Sequence, residues 1–214
     1  MHEIKKFFYD KKAKKVVEVL KKRKYDAMYV ETMEDAKQII LDTIPEGASV
    51  AMGGSTTLAE IDMINTIRNG NYKFFDRFAA PSFEEEVELY RQGLLADYFL
   101  TGTNAVTEDG RLLNMDSSGN RAASMLFGPK HVIVVVGVNK IVKNIDEGLK
   151  RLEQIAPMNC KRLKNHNDAP CVETGECTDC LVESRMCNFI SIVQQGGKFP
   201  GRYKIIIVGQ EVGF

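Results

Sequence analysis

The sequence predicts a three-layer α/β fold, a mostly parallel sheet with helices on both faces. Three observations carry that prediction. Short apolar runs alternate along the chain with segments of helical periodicity, the pattern of strand–helix–strand units. Two of the runs, His131–Val136 (HVIVVV) and Lys204–Val208 (KIIIV), are apolar without alternation after their first residue, so both faces of those strands need cover. Polar loops rich in Gly, Ser, Thr and Asn follow strands at 53–57 and 104–121, where an open α/β sheet places its ligands.

Taken in order, the chain opens with an N-terminal helix over 1–24, whose lysines alternate with Val16, Val17, Val19 and Leu20 as on an amphipathic surface. Asp26–Glu31 reads as a strand, and Thr32 with Asp35 starts a helix over Met33–Thr43. After the turn Pro45-Glu46-Gly47 come a strand at Ser49–Met52 and the loop Gly53-Gly54-Ser55-Thr56-Thr57. Thr57 and Glu60 have capping-box spacing for one helix with Leu58, Ile61, Ile64 and Ile67 inward. Tyr72–Phe75 is the next strand; Ser82 and Glu85 repeat the box for a helix with Phe83, Val87, Tyr90 and Leu94 as its stripe.

A strand at Ala96–Leu100 leads to a hairpin, Ala105–Thr107 and Arg111–Asn114, turning at Glu108-Asp109-Gly110. Ser118-Gly119-Asn120 precedes a helix over Ala122–Phe127, whose free N–H groups favour an anion. Beyond His131–Val136, Asn144 and Glu147 cap a helix to about Ile155. Residues 157–202 are rich in Cys, Asn, Gly and Pro, with one helical piece near Arg185–Gln194; the α/β pattern resumes only at Lys204. The whole chain, 1–214, therefore reads as one domain with a Cys-rich insertion at about 157–202.

Composition narrows the function classes. Basic and acidic residues number 29 each, so no net field draws the chain to nucleic acid or acidic lipid. No apolar run approaches a membrane span, and the start MHEIKKFFYDKK has no signal-peptide core. A cytoplasmic location is the expectation, and there disulfides are unusual.

Two loops are candidate substrate sites. In the first, Gly53 and Gly54 let backbone approach a ligand, and Ser55, Thr56 and Thr57 supply hydroxyls. It lacks the lysine of a Walker loop and the third glycine of a dinucleotide fingerprint; a tight turn with a helix cap is the structural alternative. The second loop supplies the amides of Asn104, Asn114 and Asn120 and the guanidinium of Arg121 for binding, with Glu108, Asp109 and Asp116 as candidate proton-transfer carboxylates. Asp109-Gly110 is also ordinary turn chemistry. The two loops are expected to meet over one pocket for a small anion, a hydroxy acid or sugar phosphate, with Glu108 or Asp109 at its rim and Arg121 in an exposed ion pair.

Cys171, Cys177, Cys180 and Cys187, with C-x-x-C at the centre, form the third element. Four thiolates suit zinc or an iron–sulfur cluster, although the spacing matches neither the paired zinc knuckle nor the bacterial ferredoxin run. A reversible redox pair and unmetallated structural thiols are the alternatives. Cys160 stands apart as a packing residue, and His166 reads as a solvated loop histidine near the cluster.

The segments GGSTTLAEI, TGTNAVTEDGRLLNMDSSGNRAASMLFGP and the VVVG-NKIV run resemble the LUD domain, named for bacterial lactate utilisation proteins. The resemblance spans about Tyr25 to Val212. CVETGECTDCLVESRMCN looks like the cysteine-bearing tail of a short subgroup, outside the part all members share. The resemblance implies a fold akin to CoA transferases, ribose-5-phosphate isomerases and glucosamine-6-phosphate deaminases. There a glycine-rich loop and a D-G-containing loop meet an anionic substrate at the strand ends, which correspond here to Gly53–Thr57 and Asn104–Arg121. The glutamate nucleophile of the CoA transferases has no assignable equivalent.

It further implies a component of L-lactate oxidation to pyruvate, with iron–sulfur partner subunits, Arg121 on the substrate carboxylate, and cysteines that carry an electron or stabilise a docking surface. A stand-alone sugar-phosphate isomerase or transferase with structural zinc is the alternative, and a non-catalytic metal or redox sensor a third. Fold kinship alone transfers no reaction.

Overall fold

The two continuously apolar runs form the middle of a six-stranded parallel sheet. The computed structural model describes residues 1–163 and 168–214; His166 lies outside the described residues. The strands of the large sheet are β1 (Asp26–Val30), β2 (Ser49–Met52), β3 (Lys73–Phe74), β4 (Tyr98–Gly102), β7 (His131–Gly137) and β10 (Tyr203–Val208). Their order is β1-β10-β7-β4-β2-β3, all neighbours parallel. Both apolar runs are thus interior strands.

Their side chains divide between two faces by the two-residue period of a strand. Val132, Val134, Val136, Ile205 and Ile207 pack in one core with Ala13, Val16, Val17 and Leu20 of helix α1 (Glu3–Lys22). Ile133, Val135, Ile206 and Val208 pack in the other. That core also holds Ala36 and Ile40 of α2 (Met33–Thr43), Leu58 of α3 (Thr56–Ala59), and Met63 and Ile67 of α4 (Met63–Asn69). Helix, sheet and helix are the three layers. The box expected at the start of α2 is present: Thr32 Oγ1 accepts from Asp35 N and Asp35 Oδ2 from Thr32 N, both at 3.1 Å.

A second, four-stranded sheet covers part of the α1 face. Its order is β8-β5-β6-β9, from β5 (Ala105–Thr107), β6 (Leu112–Asp116), β8 (Ile141–Val142) and β9 (Phe189–Val193). Helix α7 (Ile145–Arg162) packs on it through Leu152, against Ala105 and Leu113. The remaining helices are α5 (Phe83–Gly93), α6 (Asn120–Leu126) and α8 (Pro170–Thr174).

Four local expectations are corrected. Residues 185–194 hold a strand, not a helical piece: β9 pairs antiparallel with β6, Ser191 opposite Asn114, and its β-branched residues suit that edge. Helix α7 passes Pro157 and ends at Arg162, because its buried stripe continues through Ile155, Ala156 and Cys160. Ser55, not Thr57, caps α3, and the expected single helix breaks at Asp62, a left-handed residue with φ 51°. Phe83, expected on the inward stripe of α5, is exposed.

Candidate functional site

Strands β2, β4 and β7 run parallel, so the loops after them open on one side of the sheet. The loops touch. A Cβ on Gly102, at the end of β4, would lie 2.8 Å from Ser55 Oγ, so only glycine admits that contact. Gly54 is flanked by two guanidiniums: a Cβ there would meet Arg77 Nη2 at 2.9 Å and Arg162 Nη2 at 3.9 Å. Arg162 Nη2 also reaches the Gly54 carbonyl at 3.5 Å.

Arg121 is built into the structure. Its Nε donates to Asp116 Oδ1 at 2.6 Å, and its Nη2 to Asn104 Oδ1 at 2.8 Å and to the Met115 carbonyl at 2.7 Å. The expected exposed ion pair is in fact buried, with the side chains 12% and 6% exposed. The other oxygen of Asp116 accepts from Ala122 N at 2.9 Å. Asp116 therefore fills the helix start where an anion was expected, and its charge is met from two sides. Asn104 Oδ1 also accepts from Met115 N at 3.0 Å, which ties the base of the hairpin to the same network.

The hairpin carries Glu108 and Asp109 away from that network. Glu108 pairs with Lys12 of α1 at 2.8 Å; Asp109 pairs with Arg111 at 3.1 Å, and its carbonyl accepts from Arg23 Nε. Their expected place at the rim of the site is therefore corrected: they pin the hairpin turn to α1. Asn114 points into the protein under α6, its Nδ2 3.5 Å from Met125 Sδ and its Oδ1 without a hydrogen-bond partner among the described residues. Asn104 and Asn120, expected on one wall, line two different small clefts. The first cleft runs along α7 to Met186 and Cys187, and the second lies beside Arg77 and Tyr90.

The structure adds cations that sequence reasoning missed. Lys140, just beyond β7, is buried, and its Nζ donates to Thr57 Oγ1 at 2.9 Å. Arg151 Nε donates to the Asn104 carbonyl at 2.9 Å. Burial first and Arg151 next lower the Lys140 amine, Glu60 opposes, and Arg121 and Arg162 add to the lowering, which brings it to about 7. Arg162, which reaches solvent at the end of α7, is itself lowered by the protein packed around it and by Arg121 and Arg77. Arg77, Arg121, Lys140, Arg151 and Arg162 thus share one field around Gly54 and Asn104. Arg77 pairs with Glu86 and Arg121 with Asp116; among the described residues Lys140, Arg151 and Arg162 form no ion pair. The NK dipeptide after an apolar strand was the available signal for Lys140; Arg151 and Arg162 lie in a helix whose register only packing reveals.

The cysteines gather in a small core of their own. Cys160, Cys171 and Met186 are buried together, with Cys187 partly buried against them. Cys160, expected to stand apart, belongs to this group, packed with Cys171. Burial and Cys171 push the Cys160 thiol up to about 12; burial and Cys177 push Cys187 up to about 11. Arg185 donates to the carbonyls of both Cys180 and Cys187, drawing those two segments together. All five cysteines are free, and among the described residues no three His, Cys, Asp or Glu side chains form a group able to hold a metal ion as they lie. No described helix is long and apolar enough to cross a membrane.

Comparison with known proteins gives the family and the fold. The family model of the LUD domain matches residues 13–208. Among curated proteins none matches. A crystal structure of a DUF162 family protein from Deinococcus radiodurans is similar at 16% identity and a TM-score of 0.51, covering 94% of this chain and 98% of that one. At that identity the likeness supports the fold.

Proposed function

We propose a function from one established premise: the chain belongs to the LUD domain family. It is a lactate-utilisation-type component whose strand-end crevice holds a small anionic substrate, a hydroxy or oxo acid. The observation that carries this reading is the approach of Arg162 to the glycine loop at Gly54 and of Arg151 to the Asn104 carbonyl, neither guanidinium in an ion pair among the described residues. Guanidiniums without a carboxylate partner keep their donors for an anionic ligand. A carboxylate accepting from Arg162 and Arg151 would be held by charge-assisted hydrogen bonds. Ser55 and Thr56 would offer hydroxyls to its hydroxyl or carbonyl oxygen. Arg121 contributes field, with Nη1 its one nitrogen lacking a partner among the described residues.

Calorimetric titration with L-lactate, pyruvate and ribose 5-phosphate tests the reading. Lactate or pyruvate should bind, more weakly as salt rises and in Arg162→Gln. Binding of the sugar phosphate alone would move the chain to the isomerase-like reading, and silence with all three anions would remove the substrate site.

The cysteines are a second part of the proposal. Soft thiol donors in a reducing compartment suit zinc or an iron–sulfur cluster, and Cys171, Cys177, Cys180 and Cys187 are the residues that would hold it. The Arg185 contacts with the Cys180 and Cys187 carbonyls support a loop folded for convergence. Ligation would require the loop bearing the exposed Cys177 to close on the buried thiols, which would lose their protons. A bound zinc would staple α7, α8 and β9; a cluster would carry an electron toward an iron–sulfur partner. Metal analysis and a visible spectrum of anaerobically purified protein decide the matter: metal-free, colourless protein would end this part.

A further inference from the structure

The buried amine of Lys140, beneath the glycine loop, is the group at the strand ends that packing does not account for. Of the half-buried lysines, Lys12 reaches Glu108 and Lys204 reaches Asp26, while Lys37 donates to the Ile61 carbonyl. Lys140 is 3% exposed, and its hydrogen-bond partner among the described residues is the Thr57 hydroxyl. An ammonium presents three donors, so the charged form would stand buried and under-satisfied. The charged groups facing it are Arg151 and Arg162 from α7, Arg121 from α6 and Glu60 at the end of α3, a mainly cationic set that also disfavours the ammonium.

We propose that Lys140 is a catalytic residue whose neutral amine adds to the carbonyl carbon of a small 2-oxo acid, forming an imine in the crevice. The proposal rests on the anion-binding reading above and adds to it the class of chemistry. The nitrogen lone pair forms the C–N bond as the carbonyl π electrons move to oxygen. Both amine hydrogens leave with that oxygen as water, so the step consumes no oxidant or reductant. The Thr57 hydroxyl, 2.9 Å from Nζ, is placed to relay a proton from nitrogen to oxygen. Arg151 and Arg162 offset the substrate carboxylate, and their field favours the neutral imine over the iminium.

Two further features fit this chemistry. The backbone of Gly213 crosses above the amine; a Cβ there would lie 2.9 Å from Nζ and 2.5 Å from Thr57 Oγ1. That segment is held by Asn139 Nδ2 to the Gly213 carbonyl, by Gly213 N to Glu60 and by the buried Val212, so substrate entry would require it to move. With its pKa at about 7, half of the amine is neutral at neutral pH, a roughly thousand-fold larger fraction than an ordinary lysine keeps. A 2-hydroxy acid has no carbonyl, so it should occupy the crevice without reacting.

The test is reductive trapping on the full chain. Protein is incubated with pyruvate and cyanoborohydride, digested, and the modified lysines mapped by mass spectrometry, with calorimetric binding of pyruvate and L-lactate measured on the same preparation. The expected result is a carboxyethyl group concentrated at Lys140, half-maximal near pH 7, suppressed by excess L-lactate and absent at that peptide in Lys140→Met and Lys140→Arg. Labelling spread over exposed lysines, or rising at Lys140 only above pH 9 like theirs, overturns the proposal. Pyruvate that binds without trapping overturns it while leaving the anion site standing; failure of both anions to bind overturns the two together. The wild-type peptide map decides even if a variant fails to fold.

Discussion

Arg121 and Lys140 lie in the same field, yet one is fully committed and the other is not. Arg121 spends its donors on Asp116, Asn104 and the Met115 carbonyl, so its charge holds the hairpin base to the start of α6. Lys140 has a hydroxyl where a carboxylate would be expected. The lesson is that a cation in a crevice reports on ligand binding only after its internal partners are counted. By that standard Arg121, the guanidinium most visible in sequence, is a latch; the less visible Arg151 and Arg162 form no ion pair among the described residues, and Lys140 is an amine that its surroundings keep from charging.

The largest expected effect breaks the latch. Arg121→Ala leaves the Asp116 carboxylate buried and half-compensated, which should cost about 3–5 kcal/mol in denaturant unfolding. A loss below about 1 kcal/mol would mean that the pair behaves like a surface ion pair and that the contrast with Lys140 is false.

Next comes the pH dependence of Lys140. Its folded pKa, about 7, lies below the ordinary 10.5, so between those values the unfolded chain binds more protons and stability rises with pH. Below pH 7 the folded state carries the full cost of the buried ammonium. Lys140→Met should remove that cost, and the difference between wild type and variant should shrink by about 2–4 kcal/mol from pH 7 to pH 10. Taking the difference cancels the thiols Cys160 and Cys187, whose raised pKa values lower stability above pH 9 in both proteins. A pH-independent difference would show that Lys140 is charged and paired.

A smaller effect sharpens the other side of the comparison. Arg162→Gln removes an exposed guanidinium with no ion pair, so unfolding free energy should change by less than about 1 kcal/mol. Affinity for L-lactate or pyruvate should fall about ten- to a hundred-fold by calorimetry, the worth of one charge-assisted hydrogen bond. The reverse pattern would make Arg162 structural. Smallest of all, Glu108→Ala loses only its exposed pair with Lys12 and should shift stability by less than about 1 kcal/mol, leaving anion affinity unchanged. A drop in affinity would return Glu108 to the site.

The sequence by itself determined the layers. Apolar runs without alternation require cover on both faces, and His131–Val136 and Lys204–Val208 have it. The capping residues Thr32, Ser82 and Asn144 were legible because a cap bonds within a turn of its own position. The strand-end loops were legible as well, since a glycine-rich polar run after a strand is a local pattern. Tertiary structure decided which polar residues are free. Whether Asp109 faces a ligand or pins a turn depends on α1, more than eighty residues earlier, and whether Arg121 is available depends on an asparagine on the other arm of the hairpin. Tertiary structure also made 189–193 a strand, because β6 offered an edge, and brought Lys140 beneath Thr57. Propensity and capping act between neighbours in sequence; charge and hydrogen bonding act between neighbours in space, and only the fold says which those are.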